Sequence, residues 1–129
     1  MVGIVIVSHS QMLAEGVTET ARMMAQDVPM AAAGGMPDGT LGTSCRRIRD
    51  AIDAVYSDDG VAILVDMGSA VFSAETVIEM EENVRKIRIA DCPLVEGAVT
   101  AAIAASTGSD LDAVIHAAEE ARSMEKVPS

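Results

Sequence analysis

Two short polar stretches close runs of aliphatic residues: Ser8-His9-Ser10 follows Val2-Gly3-Ile4-Val5-Ile6-Val7, and Asp66-Met67-Gly68-Ser69 follows Val61-Ala62-Ile63-Leu64-Val65. A histidine and an aspartate brought together by two such runs support a specific chemistry. A carboxylate that accepts a hydrogen bond from one ring N–H fixes the imidazole tautomer, leaving the other nitrogen unprotonated and aimed outward as a nucleophile. Gly68 lets a backbone approach a phosphate closely, and Ser10 and Ser69 supply hydroxyl and N–H donors. The pattern points to a histidine that accepts a phosphoryl group rather than to a general base. A plainer role for Asp66 and Ser69, capping the helix that follows, is compatible with it.

Such a pair must be positioned by buried strands. An aliphatic run without polar alternation is what a strand covered on both faces of a parallel sheet looks like. Helical character follows it from Gln11 to Gln26, with Met12, Leu13, Val17, Ala21 and Met24 near helical spacing and Pro29 closing the segment. Met30 to Ala33 reads as a second strand, and Gly34-Gly35-Met36-Pro37-Asp38-Gly39-Thr40 as a loop. Thr43 or Ser44 caps a second helix to about Tyr56, striped by Ile48, Ile52 and Val55. After a turn at Ser57-Asp58-Asp59-Gly60, Val61 to Val65 is the third strand. Ser69 or Ser73 opens a third helix to about Val84, with Val77, Ile78 and Met80 inward and Glu79, Glu81 and Glu82 outward. Lys86 to Ala90 is the fourth strand, Leu94 to Ser106 a helix of small residues, and Leu111 to Met124 a last amphipathic helix.

Strands alternating with helices predict an α/β, doubly wound, mainly parallel sheet of about four strands with helices on both faces, in one domain spanning 1–129. Right-handed crossovers favour the strand order 2-1-3-4. The order reverses between the first and third strands, and the crevice there is lined by Ser8-His9-Ser10 and Asp66-Met67-Gly68-Ser69, with the glycine-rich loop at its rim.

The 129 residues, half of them hydrophobic, suffice for a proper core. The net charge of −11 disfavours nucleic acid and anionic membrane and favours basic protein partners. With only Lys86 and Lys126 as lysines, the acidity fits either a high-salt interior or an ordinary acidic protein. No apolar span reaches membrane length and no signal peptide is recognisable, so a cytoplasmic protein without membrane insertion is expected. Cys45 and Cys92 form no CxxC, arguing against a metal or redox site, and no cofactor is called for. The nine methionines read as core filler in a chain with one Phe and one Tyr.

The segments IVIVSHS, GGMPDGTLGTS, VDMGSA and PLVEGAV, in this order along essentially the whole chain, resemble the enzyme IIA domains of dihydroxyacetone kinase phosphotransferase subunits, relatives of the mannose-family enzyme IIA. The resemblance implies that His9 is phosphorylated by HPr of the phosphoenolpyruvate-dependent phosphotransferase system. It further implies transfer to ADP on the kinase subunit DhaL, whose ATP then phosphorylates dihydroxyacetone on DhaK. By the same similarity Asp66 matches the aspartate beside the active histidine, while Gly68, Ser69 and the segments Gly34-Gly35 and Gly42-Thr43 match loops around it. A homodimer is implied as well, and a chain stopping at Ser129 implies a stand-alone form served by separate donor proteins.

Rival readings fit the residues less well. A two-component receiver needs acidic residues after its first strand; a flavin module needs a phosphate loop there and aromatic residues; a serine hydrolase needs a GxSxG elbow, which does not occur. The sibling activity, an enzyme IIA that passes phosphate to a mannose-type transporter component, is disfavoured by the DMGSA motif. His116, Cys45 and Cys92 are expected to be structural, and Glu96 a rim residue.

Overall fold

The computed structural model describes residues 1–81 and 84–128. Four strands, β1 (Gly3–Ser8), β2 (Met30–Gly34), β3 (Val61–Val65) and β4 (Ile87–Ala90), form an all-parallel sheet in the order β2-β1-β3-β4. Between and after them run α1 (Gln11–Arg22), α2 (Cys45–Val55), α3 (Gly68–Glu79), α4 (Leu94–Ser106) and α5 (Leu111–Glu120), followed by a 3-10 turn at Ala121–Ser123.

The expected α/β architecture and strand order are those observed. Strand β1 is central and buried from Gly3 to Ser8, and its side chains alternate between two cores. Ile4 and Ile6 point into a layer shared with α1, α4 and α5, where Ala14, Val17, Ala98, Ala101 and Val114 are buried. Val5 and Val7 point into a layer shared with α2 and α3, with Ile48, Ile52, Ala70, Ala74 and Val77. The four positions between Gly3 and Ser8 are therefore all aliphatic, because neither face sees water.

Register places the site. Val7 pairs with Val65 and Ser8 with Gly34, so Asp66, where the chain leaves β3, stands level with Ser8, and His9 follows one residue beyond on the neighbouring strand. Helices α1, α2, α3 and α4 all begin on this edge. Ser10 caps α1 by accepting from the Leu13 N–H, and Ser44, one of the two expected caps, does the same for α2 from Arg47.

Several boundaries and faces differ from expectation. Helix α1 stops at Arg22 rather than Gln26, and its buried residues are Ala14, Val17, Thr18 and Ala21, while Met12, Leu13 and Met24 are exposed. Helix α3 ends at Glu79, well short of Val84, and Met80 is exposed rather than inward; Glu82 lies outside the described residues. Neither Ser69 nor Ser73 caps α3, whose N-cap is Met67 without a side-chain hydrogen bond. Helix α5 ends at Glu120, four residues before Met124.

The methionines are not core filler: Met30 is buried, Met36 half-buried, and Met1, Met12, Met23, Met24, Met67, Met80 and Met124 are exposed. Alanines explain this. The inner faces of α1 and α4 are largely Ala and Val, which draw these helices close to the sheet and leave no room for long unbranched side chains. No helix among the described residues is long and apolar enough to cross a membrane.

Candidate active site

The site forms where β1 and β3 end side by side. Asp66, the first residue beyond β3, donates its backbone N–H to the carbonyl of Val7 at 3.1 Å, which fixes its main chain against β1. Its carboxylate then meets three donors from the β1 end. Oδ2 accepts from the Ser8 hydroxyl at 2.9 Å and the His9 backbone N–H at 3.0 Å, while Nδ1 of the His9 ring lies 3.0 Å from Oδ1 and 3.3 Å from Oδ2.

A carboxylate can only accept, so Nδ1 carries the ring proton and Nε2 presents a lone pair. The Ser69 hydroxyl lies 2.8 Å from Nε2 and donates to it. The His9 side chain is 24% exposed and that of Asp66 9%, which leaves the nucleophilic nitrogen reachable and its orienting carboxylate covered.

Burial alone would push the Asp66 carboxyl upward. The hydrogen bonds from the His9 backbone, the His9 ring and Ser8, with the favourable charge of the ring, outweigh that and hold it below the usual carboxylate value. Asp66 is thus an anion throughout the neutral range.

The other expected residues surround this pair without touching the ring. Ser10 spends its hydroxyl on the α1 cap and its N–H on the Ser8 hydroxyl, 3.0 Å away. Gly35, with φ of +69°, donates its N–H to the Ser8 carbonyl at 3.2 Å. A side chain is strained at that φ. Thr43 bonds Ser73 through the two hydroxyls at 2.6 Å and so ties the glycine-rich loop to α3. Gly42, just before it, donates to the His9 carbonyl at 2.9 Å. Gly68 is the first residue of α3, with open space where a Cβ would lie.

Asp66 and Ser69 therefore do not cap α3; both turn to His9. That leaves the first turn of α3 without a capping side chain, beside Nε2, where the positive end of the helix favours an anion.

Ser8 is the contributor that the residue pattern left unassigned. It looks like part of a polar loop, yet it is the last residue of β1 and fully buried. Its place in the strand run, directly before the histidine, was the available signal.

The remaining candidates lie elsewhere. His116 is exposed and pairs with Glu120 on α5, 2.7 Å away. Cys45 is half-buried with Sγ 3.8 Å from the Ser73 carbonyl, and burial pushes the Cys92 thiol up to about 11. Glu96, in the first turn of α4, pairs with Lys126. Exposed apolar side chains occur on this edge: Met12 and Leu13 in the first turn of α1, Leu41 in the glycine-rich loop, Met67 before α3, Phe72 in its second turn and Val95 in the first turn of α4. A monomeric surface rarely concentrates such residues without a partner.

Comparison with known proteins gives a consistent picture. The family model described as "PTS system fructose IIA component" matches residues 3–115. The Escherichia coli (strain K12) PEP-dependent dihydroxyacetone kinase, phosphoryl donor subunit DhaM, is 42% identical over all of this chain, which spans 29% of that protein's length. A Listeria innocua protein, PEP-dependent dihydroxyacetone kinase 2, phosphoryl donor subunit DhaM, is 40% identical over 89% of this chain and 94% of its own. A crystal structure of a protein of unknown function superposes with a TM-score of 0.84 at 32% identity, over 99% of this chain and all of that one.

Proposed function

The chain belongs to the PTS system fructose IIA component family, and on that premise we propose that it is a phosphoryl carrier of a dihydroxyacetone kinase system. His9 Nε2 takes the phosphoryl group from phospho-HPr and passes it to ADP bound on DhaL, and the resulting ATP phosphorylates dihydroxyacetone on DhaK. Residues 1–129 act as one enzyme IIA domain, and the carrier works as a homodimer.

The observation that carries this reading is the pair of opposed contacts on one ring: Nδ1 held by Asp66 at 3.0 Å and Nε2 turned to the start of α3 at Ser69, 2.8 Å away. In the first transfer the Nε2 lone pair attacks phosphorus, a new N–P bond forms, and the N–P bond of the donor breaks with its electron pair returning to the donor imidazole. The product ring keeps its Nδ1 proton and carries positive charge, which the Asp66 anion balances. The phosphoryl oxygens then face Gly68 and Ser69 at the α3 N-terminus. In the second transfer an oxygen of the ADP terminal phosphate attacks, and the electron pair returns to Nε2. The exposed apolar side chains on this edge suit docking of macromolecular donors and acceptors.

The test is phosphoryl transfer with purified components. The protein is incubated with phosphoenolpyruvate, enzyme I and HPr, an acid-labile adduct is followed by intact mass, and DhaL–ADP is then added. Labelling that is absent in His9→Ala and discharged by DhaL–ADP is expected. Label that drains only to a mannose-type transporter component would move the chain to that branch, and a folded His9→Ala protein that still labels would overturn the assignment.

A further inference from the structure

We infer that Ser8 is a positioning residue for phosphoryl transfer, acting on His9 through Asp66; this rests on the reading of His9 as the phosphoryl acceptor. A serine at a strand position buried on all sides loses water contacts that only hydrogen bonds replace. Both capacities of its hydroxyl are used. The Ser10 N–H, 3.0 Å from Ser8 Oγ, occupies a lone pair, and the one hydroxyl proton points at Asp66 Oδ2, 2.9 Å away.

The direction of that proton matters. Ser10 N–H can only donate and ionised Asp66 can only accept, so the hydroxyl cannot reverse, and the chain Ser10 N–H, Ser8 O–H, Asp66 is fixed in one sense. Oδ2 is thereby pinned by Ser8 together with the His9 backbone N–H, and the carboxylate cannot turn about its Cβ–Cγ bond. Oδ1 is left to Nδ1 of the ring, which holds the tautomer whose lone pair lies on Nε2. Ser8 touches neither the ring nor any reacting atom, and removing its hydroxyl leaves a carboxylate with one donor fewer and a freer torsion.

The experiment uses the whole chain with Ser8→Ala, Ser8→Cys and Ser8→Thr, each alone and Ser8→Ala also with Asp66→Ala. Initial rates of labelling by phospho-HPr are measured from pH 5 to 9, and ¹⁵N shifts of His9 report the tautomer. The unmutated protein is expected to show Nδ1–H, Ser8→Ala and Ser8→Cys to label about 5- to 20-fold more slowly with a mixed tautomer, and Ser8→Thr to stay near the unmutated rate (roughly one lost hydrogen bond). In the Asp66→Ala background Ser8→Ala is expected to add less than twofold.

Failure of the unmutated protein to label would refute the acceptor reading itself. With labelling intact, an Nε2–H tautomer in the unmutated protein overturns the role of Ser8. So does a Ser8→Ala rate within twofold of the unmutated one, or an undiminished Ser8→Ala effect without Asp66. Should Ser8→Ala not fold, a Ser8→Cys protein with unaltered rate and ring shifts does the same.

Discussion

Replacing Asp66 by asparagine separates orientation from bulk, because the side chain keeps its shape and loses charge and one acceptor. The amide oxygen can occupy the Oδ2 position, where the Ser8 hydroxyl and His9 N–H both donate. Its NH2 group then faces Nδ1 and donates to it, which drives the ring proton to Nε2 and removes the nucleophilic lone pair. The lost interaction is a charge-assisted hydrogen bond, worth about 1.5–3 kcal/mol. At about 1.36 kcal/mol per factor of ten, phosphorylation by phospho-HPr should slow by roughly 10- to 150-fold. Fold stability changes less, since two of the three donors keep an acceptor. Rapid-quench labelling gives the rate, ¹⁵N shifts of the ring the tautomer, and thermal unfolding the control. A folded Asp66→Asn protein that labels within threefold of the parent rate, with Nδ1 still protonated, would refute the argument.

Other consequences are as direct. In Gly34→Ala the new Cβ would sit 2.4 Å from the Ser10 carbonyl oxygen and 2.7 Å from Gln11 Cα, so thermal unfolding should show a loss of about 1–3 kcal/mol or more together with slower labelling, because the clash falls on the corner that carries His9. The depressed Asp66 carboxyl contributes stability that is fully present above the ordinary carboxylate value and disappears as pH falls through its lower folded value; the stability gap between the parent and Asp66→Asn should therefore narrow below about pH 4 in acid unfolding curves. Cys92, raised to about 11 by burial, by Glu119 and by Asp91, should resist iodoacetamide at pH 7 in the native protein and react after denaturation, followed by mass. Phe72→Asp, on the exposed rim, should raise the KM for phospho-HPr severalfold with little change in thermal stability.

Strands β1 and β3 were legible because each is covered on both faces, a condition that only unbroken aliphatic runs satisfy. Their ends then brought His9 and Asp66 into register, so the core of the candidate site was legible too. Ser8 was not, since a serine before a histidine reads as loop until the strand is seen to extend through it. The methionines misled for another reason: hydropathy does not distinguish a long apolar side chain from a small one, and the helix-to-sheet spacing set by Ala14, Ala21, Ala98 and Ala101 admits only the small. Helix ends were overextended at Arg22, Glu79 and Glu120, where good helix formers continue past the last residue with a sheet or helix to pack on.

The central position of β1 also has a consequence for how the chain comes to life. The histidine lies 57 residues from its aspartate and 60 from Ser69, and β1, the strand synthesised earliest of the four, pairs with β2 and β3, both made after it. Until β3 emerges and closes this long loop, the aliphatic β1 keeps the edge that β3 will cover unsatisfied even once β2 has paired with it, an arrangement prone to stray association. On the proposed function, competence for phosphorylation is acquired late and all at once, and a labelled molecule would by that fact be one whose sheet has closed from β1 to β3.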